Sequence, residues 1–184
     1  MSTLAQIPLV QILTSLFLIA CSLIAAKVNS RKRHIPRKEF LGLGPPKLIP
    51  SVILMIGFIA LAGALEVVYR HADLGANTSW VGKYSGSALA IRIVGILLLA
   101  PLGEELLFRG VIFKLLATKS TALAILITAA LFAGSHFQYS WLGMVLVFVS
   151  GLYYGLARAW SGSTLLTIAM HCAGNGVAVY QRLH

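Results

Sequence analysis

Apolar residues in this chain run in blocks and do not alternate with polar ones. Stretches dominated by aliphatic and aromatic side chains lie at about Ile7–Ala26, Leu48–Val68, Ala88–Leu116, Thr121–Phe137, Trp141–Arg158 and Ser163–Tyr180. Each is near or above the ~17–25 residues that a helix needs to cross a hydrocarbon core. The pattern predicts an all-α fold, a polytopic membrane helix bundle of about six transmembrane helices. It leaves room for one integral membrane domain over residues 1–184 and for no second domain. No Lys or Arg precedes the first stretch and a basic cluster follows it, the order expected of a retained transmembrane helix and not of a cleaved signal.

Composition agrees. Hydrophobic residues make up 58% of the chain, charged ones 11%, and the mean hydropathy is +0.87, far from a soluble domain. The net charge of +10 does not imply nucleic acid, because the basic residues fall mainly in the connections and form no single patch. With the amino terminus outside, the cytoplasmic side carries 11 of the 15 Lys and Arg residues. Arg70, Lys83, Arg92 and Arg182 then stay outside. Positive-inside bias therefore predicts that both termini face outward. Lys27, Arg31, Lys32, Arg33, Arg37 and Lys38 read as topogenic charge in preference to a lipid-headgroup site. Trp80, Trp141 and Trp160 fall near expected helix ends, and Glu66 and Arg92 are expected to reach the outer interface. Cys21 and Cys172 sit in separate apolar segments and read as small hydrophobes.

One segment breaks the lipid-soluble pattern. The chain has only five acidic residues, and two of them are adjacent in Glu104-Glu105-x-x-x-Arg109. An ionisable group at membrane depth costs about 2.5–3.5 kcal/mol on insertion scales, so such residues mark function or pairing. Glu105 and Arg109 stand four apart, in the favoured acid-before-base order. Glu104 points about 100° away on the helix. Pro101 and Gly103 lie just before, inviting a kink and a close approach. His136 and His171 are the two histidines within apolar stretches, and His171-x-x-x-Asn175 puts imidazole and carboxamide on one face. Counted from the polar turn at residues 118–120, Glu104 and His136 lie roughly 21–24 Å deep, and Asn175, counted from Ser161, about 21 Å. The groups can therefore share one buried pocket. A carboxylate there can act as general base on water, with imidazole and amide donors for an oxyanion. Neither a Gly-x-Ser-x-Gly elbow nor a His-Glu-x-x-His zinc motif is present. A buried Glu/Arg/His cluster would also suit a small proton-coupled membrane transporter, but the chain lacks the inverted repeats common in such carriers.

Glu104-Glu105-x-x-x-Arg109, Phe132-x-x-x-His136 and His171-x-x-x-Asn175, in that order, resemble the CAAX-protease and bacteriocin-processing family of intramembrane endopeptidases. The resemblance covers residues 91–175, the expected catalytic core, and residues 1–87 carry nothing specific to the family. It implies a water-activating Glu104, supporting roles for Glu105 and Arg109, assistance from His136, and an oxyanion hole formed by His171 and Asn175. It further implies hydrolysis of a peptide bond in a membrane-anchored peptide or protein substrate, prenylated or bearing a sorting signal, in a prokaryotic cytoplasmic membrane. No cofactor is expected. Glu104, His136 and His171 could supply a three-ligand zinc site, and this is the less favoured reading.

Overall fold

The computed structural model describes residues 8–71 and 84–183, so Ile7, Trp80, Lys83 and His184 lie outside the described residues. Seven helices follow in order: α1 (Pro8–Arg33), the one-turn α2 (Arg37–Phe40), α3 (Leu48–His71), α4 (Gly86–Ala117), α5 (Thr121–Gly134), α6 (Trp141–Ser161) and α7 (Thr164–Leu183). No strand occurs among the described residues, and the all-α expectation holds. Four helices are long and apolar enough to cross a membrane: α1, α3 over Leu48–Val68, α4 and α6. The chain is an integral membrane protein.

Two of the six expected spans differ. The fourth stretch stops as a helix at Gly134, after 14 residues, about 21 Å against the ~30 Å of a hydrocarbon core. Residues 135–139 turn away, so His136 stands beyond the helix and not within it. The last helix has 20 residues but is not apolar enough to qualify as a span, because His171, Asn175 and Gln181 interrupt it.

Small residues bring the helices together, as expected where lipid offers no hydrophobic drive between them. Gly151 and Gly155 of α6 lie against α5, where an added Cβ would come within 3.1 Å of the Ala129 Cα and 3.2 Å of the Ile125 Cα. Gly103 of α4 meets α1 so closely that its Cβ would be 2.9 Å from the Ser15 carbonyl oxygen. The matching face of α1 buries Ser15, Ser22, Ala26 and Ser30, and the Ser15 and Ser22 hydroxyls donate back to the Gln11 and Leu18 carbonyls.

At the end of the bundle carrying the basic cluster, the segment after α2 is tied to the α6–α7 turn. The Thr164 hydroxyl donates to the Leu41 carbonyl at 2.6 Å, the Thr164 N–H to the Gly42 carbonyl at 2.8 Å, and the Ser163 hydroxyl to the Gly44 carbonyl at 2.6 Å. These bonds fix where α7 begins, and hence the height of His171.

Because the α5–α6 contact is backbone to backbone, it cannot yield to a larger side chain. Gly155→Leu is expected to destabilise the fold by about 1–3 kcal/mol, read as a lowered midpoint of thermal unfolding in detergent. An unchanged midpoint would mean that α5 and α6 do not pack through this pair.

Candidate active site

The site is built on α4, which is not a uniform α-helix. Residues Gly95–Leu99 and Leu106–Ile112 are wound as π-helix, on either side of the α-helical stretch Ala100–Glu105. Such bulges concentrate at functional sites, and here the sequence explains one of them. The Ala100 N–H bonds the Gly95 carbonyl five residues back. The next bond in that register would run from residue 101 to the Ile96 carbonyl, but Pro101 has no N–H. The Asn175 amide of α7 supplies the missing donor, at 2.9 Å. The second bulge ends similarly. The Phe113 N–H bonds the Phe108 carbonyl, and the next carbonyl, that of Arg109, accepts from the Arg158 Nε of α6 at 3.1 Å. Backbone groups in lipid need a partner, and each bulge obtains one from another helix.

Between the bulges, adjacent glutamates meet different surroundings. Glu105 is fully buried. Its Oε1 accepts from the Arg109 Nη1 at 2.9 Å and from the His171 Nδ1 at 3.0 Å. Arg109, also fully buried, donates from Nη2 to the Gly151 carbonyl at 2.9 Å, reaching α6 at the glycine that packs against α5. Glu104 is 19% exposed, and its Oε2 stands 3.8 Å from the His171 Nε2, beyond hydrogen-bonding range. That oxygen is buried with no hydrogen-bond partner. Since the Nδ1 of His171 faces a carboxylate that already accepts from arginine, it carries its proton there, and Nε2 is the edge turned toward Glu104.

Phe132 organises the rest. Its ring lies edge-on to His171 at 5.5 Å and to His136 at 4.9 Å, and the Arg109 guanidinium sits 4.6 Å from its centroid. His136 holds its Nδ1 2.8 Å from the Phe132 carbonyl, which can only accept, so the Nε2 is left unprotonated in the neutral ring. Among the described residues no hydrogen bond or ion pair joins His136 to Glu104, and Phe132 separates His136 from the Glu105 cluster. His136, His171 and Asn175 do share a cavity of about 250 Å³ between α3, α6 and α7. It extends about 15 Å along α7, from His171 toward Gln181. Glu66, expected to reach the outer interface, also lines this cavity.

Four further residues were not singled out from the sequence. Gly151 and Gly155 form a Gly-x-x-x-Gly pair, a readable signal for close helix packing. Arg158 is a buried arginine near a helix end, which sequence reading counts as topogenic. Tyr154 is 5% exposed and stacks on His171, with ring centroids 5.4 Å apart at 24°. Its position one residue before Gly155 could have placed it in the same packed seam.

No group of three or more His, Cys, Asp or Glu among the described residues is arranged to hold a metal ion. Glu104 and His171 approach each other, and His136 makes no hydrogen bond or ion pair with either.

Residues 86–177, half of the chain, match the family described as type II CAAX prenyl endopeptidase Rce1-like. The chain belongs to that family. All three motifs of the site fall inside the matched region. An uncharacterized 24.3 kDa protein of Escherichia coli is 36% identical over 130 residues, covering 63% of this chain and 60% of that protein. The UPF0177 protein YajF of Lactococcus lactis subsp. lactis (strain IL1403) is 31% identical over 99 residues, covering 53% and 46%. The chain therefore spans about half of the length of these relatives. No solved structure matches it.

Two outcomes test the architecture of this Rce1-like site. Arg109→Leu leaves Glu105 buried beside no guanidinium and should cost about 3–5 kcal/mol of stability, whereas a double replacement of Glu105 and Arg109 by Leu should cost clearly less. Thermal unfolding of these two variants and of Glu105→Leu in detergent decides it, and additive losses would contradict the pairing. Asn175→Leu orphans the Ile96 carbonyl, at about 1–3 kcal/mol. Pro101→Ala restores the backbone donor and should recover part of that loss in the double variant. No recovery would show that Asn175 is not the substitute for the proline's missing N–H.

Proposed function

We propose that this chain is a glutamic-type intramembrane endopeptidase in which Glu104 activates water. The observation that carries the reading is the contrast between neighbours: each carboxylate has a buried, unpartnered Oε2, but Glu105 is fully buried with its Oε1 held by Arg109 and His171, whereas Glu104 is partly exposed, makes no hydrogen bond to any described residue and faces the Nε2 of His171. A base needs a free acceptor next to the reacting centre. The Glu104 carboxylate takes a proton from water as the water oxygen bonds the scissile carbonyl carbon. The carbonyl pair moves onto oxygen, and His171, carrying a second proton on Nε2 besides the Nδ1–H given to Glu105, donates with Asn175 to the resulting oxyanion. Collapse breaks the C–N bond, and the departing amine takes the proton held by Glu104, leaving a carboxylate and an amine.

His136, with a basic Nε2 at the cavity, assists the water. Glu105 and Arg109 hold His171 in place. The reaction proceeds without a cofactor. The substrate is a membrane-anchored peptide or protein, prenylated or bearing a sorting signal, and the cavity between α3, α6 and α7 receives it. The setting is a prokaryotic cytoplasmic membrane with both termini outside, as the gathering of basic residues at one end of the bundle favours.

The test is cleavage of lipidated and unlipidated membrane-anchor peptides by protein in detergent, with and without a chelator. Glu104→Gln should lower the rate at least 10²-fold while leaving thermal unfolding unchanged, and the chelator should have no effect. Equal cleavage by both proteins would remove Glu104 from the role of base, and loss of cleavage on chelation would move the chemistry to a metal.

A further inference from the structure

We infer that Tyr154 is a catalytic residue of this site, its phenol donating a hydrogen bond to the substrate carbonyl as that oxygen becomes an oxyanion. The inference rests on the endopeptidase reading and adds to it a donor that none of the three sequence motifs contains.

The ring of Tyr154 is fixed on three sides. It stacks on His171, lies edge-on to Phe132 at 6.3 Å and 68°, and carries the Arg109 guanidinium 5.3 Å from its centroid. A ring so held can aim its hydroxyl in only one direction. That direction is toward α7 at Gly174, where an added Cβ would be 3.5 Å from the hydroxyl oxygen. Gly174 stands between His171, three residues before it, and Asn175, the next residue. The hydroxyl therefore lies beside the two groups assigned to the oxyanion, in the wall of the same cavity.

The hydroxyl makes no hydrogen bond to any described residue, although Tyr154 is 5% exposed. The hydroxyl opens onto the cavity that Tyr154 lines, and phenylalanine would fill the same aromatic seam without offering a donor there. The other donors at this level are partly committed: His171 gives Nδ1–H to Glu105, and Asn175 gives an amide N–H to Ile96. The Tyr154 hydroxyl is uncommitted, rigidly aimed and next to both. Preorganised donors of this kind stabilise charge as it develops, without reorganising during the reaction. The phenol keeps its proton throughout, so the balance of the hydrolysis is unchanged.

Tyr154→Phe keeps the ring and all its stacking partners and removes only the donor. Measured beside wild type and Glu104→Gln on the same peptides, it should lower kcat about 10²-fold, leave KM within about twofold, and leave the midpoint of thermal unfolding unchanged or raised. A kcat equal to that of wild type, while Glu104→Gln is inactive, would overturn the role of Tyr154 and leave the endopeptidase reading standing. So would a raised KM with unchanged kcat, or a lowered unfolding midpoint, since those outcomes make the hydroxyl a binding or structural group. A folded wild type that cleaves none of the peptides would overturn both readings together.

Discussion

Glu105 holds three helices at one point. Its Oε1 receives Arg109 from its own helix and His171 from α7, and Arg109 reaches on to the Gly151 carbonyl of α6. Buried ions cost several kcal/mol each, and their attraction offsets this only when geometry and hydrogen bonding are nearly complete. The arrangement therefore constrains everything attached to it. If α6 rises or α7 rotates, a buried charge loses its partner. The close α5–α6 packing through Gly151 and Gly155 is what lets the Gly151 carbonyl stand within reach of the guanidinium.

Alpha-helical bonding normally makes a helix self-sufficient, and α4 departs from that. Each π bulge leaves a carbonyl whose bond comes from elsewhere, Asn175 in one case and Arg158 in the other. The dependence is reciprocal. In hydrocarbon Asn175 and Arg158 need acceptors as much as those carbonyls need donors. Together with the Glu105 cluster, this ties α4 to α6 and α7 at three heights. Pro101 thus acts less as a kink than as the reason α7 must present a polar side chain at position 175.

Much of this was legible in the chain. The apolar blocks gave the helices within a few residues, and the four-residue spacings of Glu105 with Arg109 and of His171 with Asn175 put each pair on one face. The depth count put Glu104, His136 and Asn175 at one level. His136 does reach the cavity of His171 and Asn175, but from two residues beyond α5, since counting 1.5 Å per residue assumes an unbroken helix and α5 ends at Gly134. Spacing also could not tell which glutamate His171 bonds more closely, since that depends on the rotation of α7 about its axis. Glu66 illustrates a different limit. Its position near a helix end is compatible with the interface, and only the packing of α3 against α7 places it at the cavity as well. Tyr154 carried no motif of its own, and its place follows from tertiary stacking alone.

The charge inventory of the cluster bears on why two glutamates stand side by side. Glu105 and Arg109 neutralise one another. That leaves the carboxylate of Glu104 as the negative charge facing the Nε2 edge of His171, in surroundings where creating a new ion is expensive. In the proposed hydrolysis Glu104 takes a proton from water as hydroxide adds to a carbonyl, so that charge is not created but moved, from the carboxylate to an oxyanion at the imidazole edge. The net charge of the buried site is the same before and after. Low dielectric, which would penalise the separation of charge, then strengthens the donors that receive it. A lone glutamate without its neighbour's ion pair could not hold His171 with Nδ1 committed and Nε2 turned to the reacting oxygen. The second glutamate thus fixes the geometry through which the charge of the first can travel.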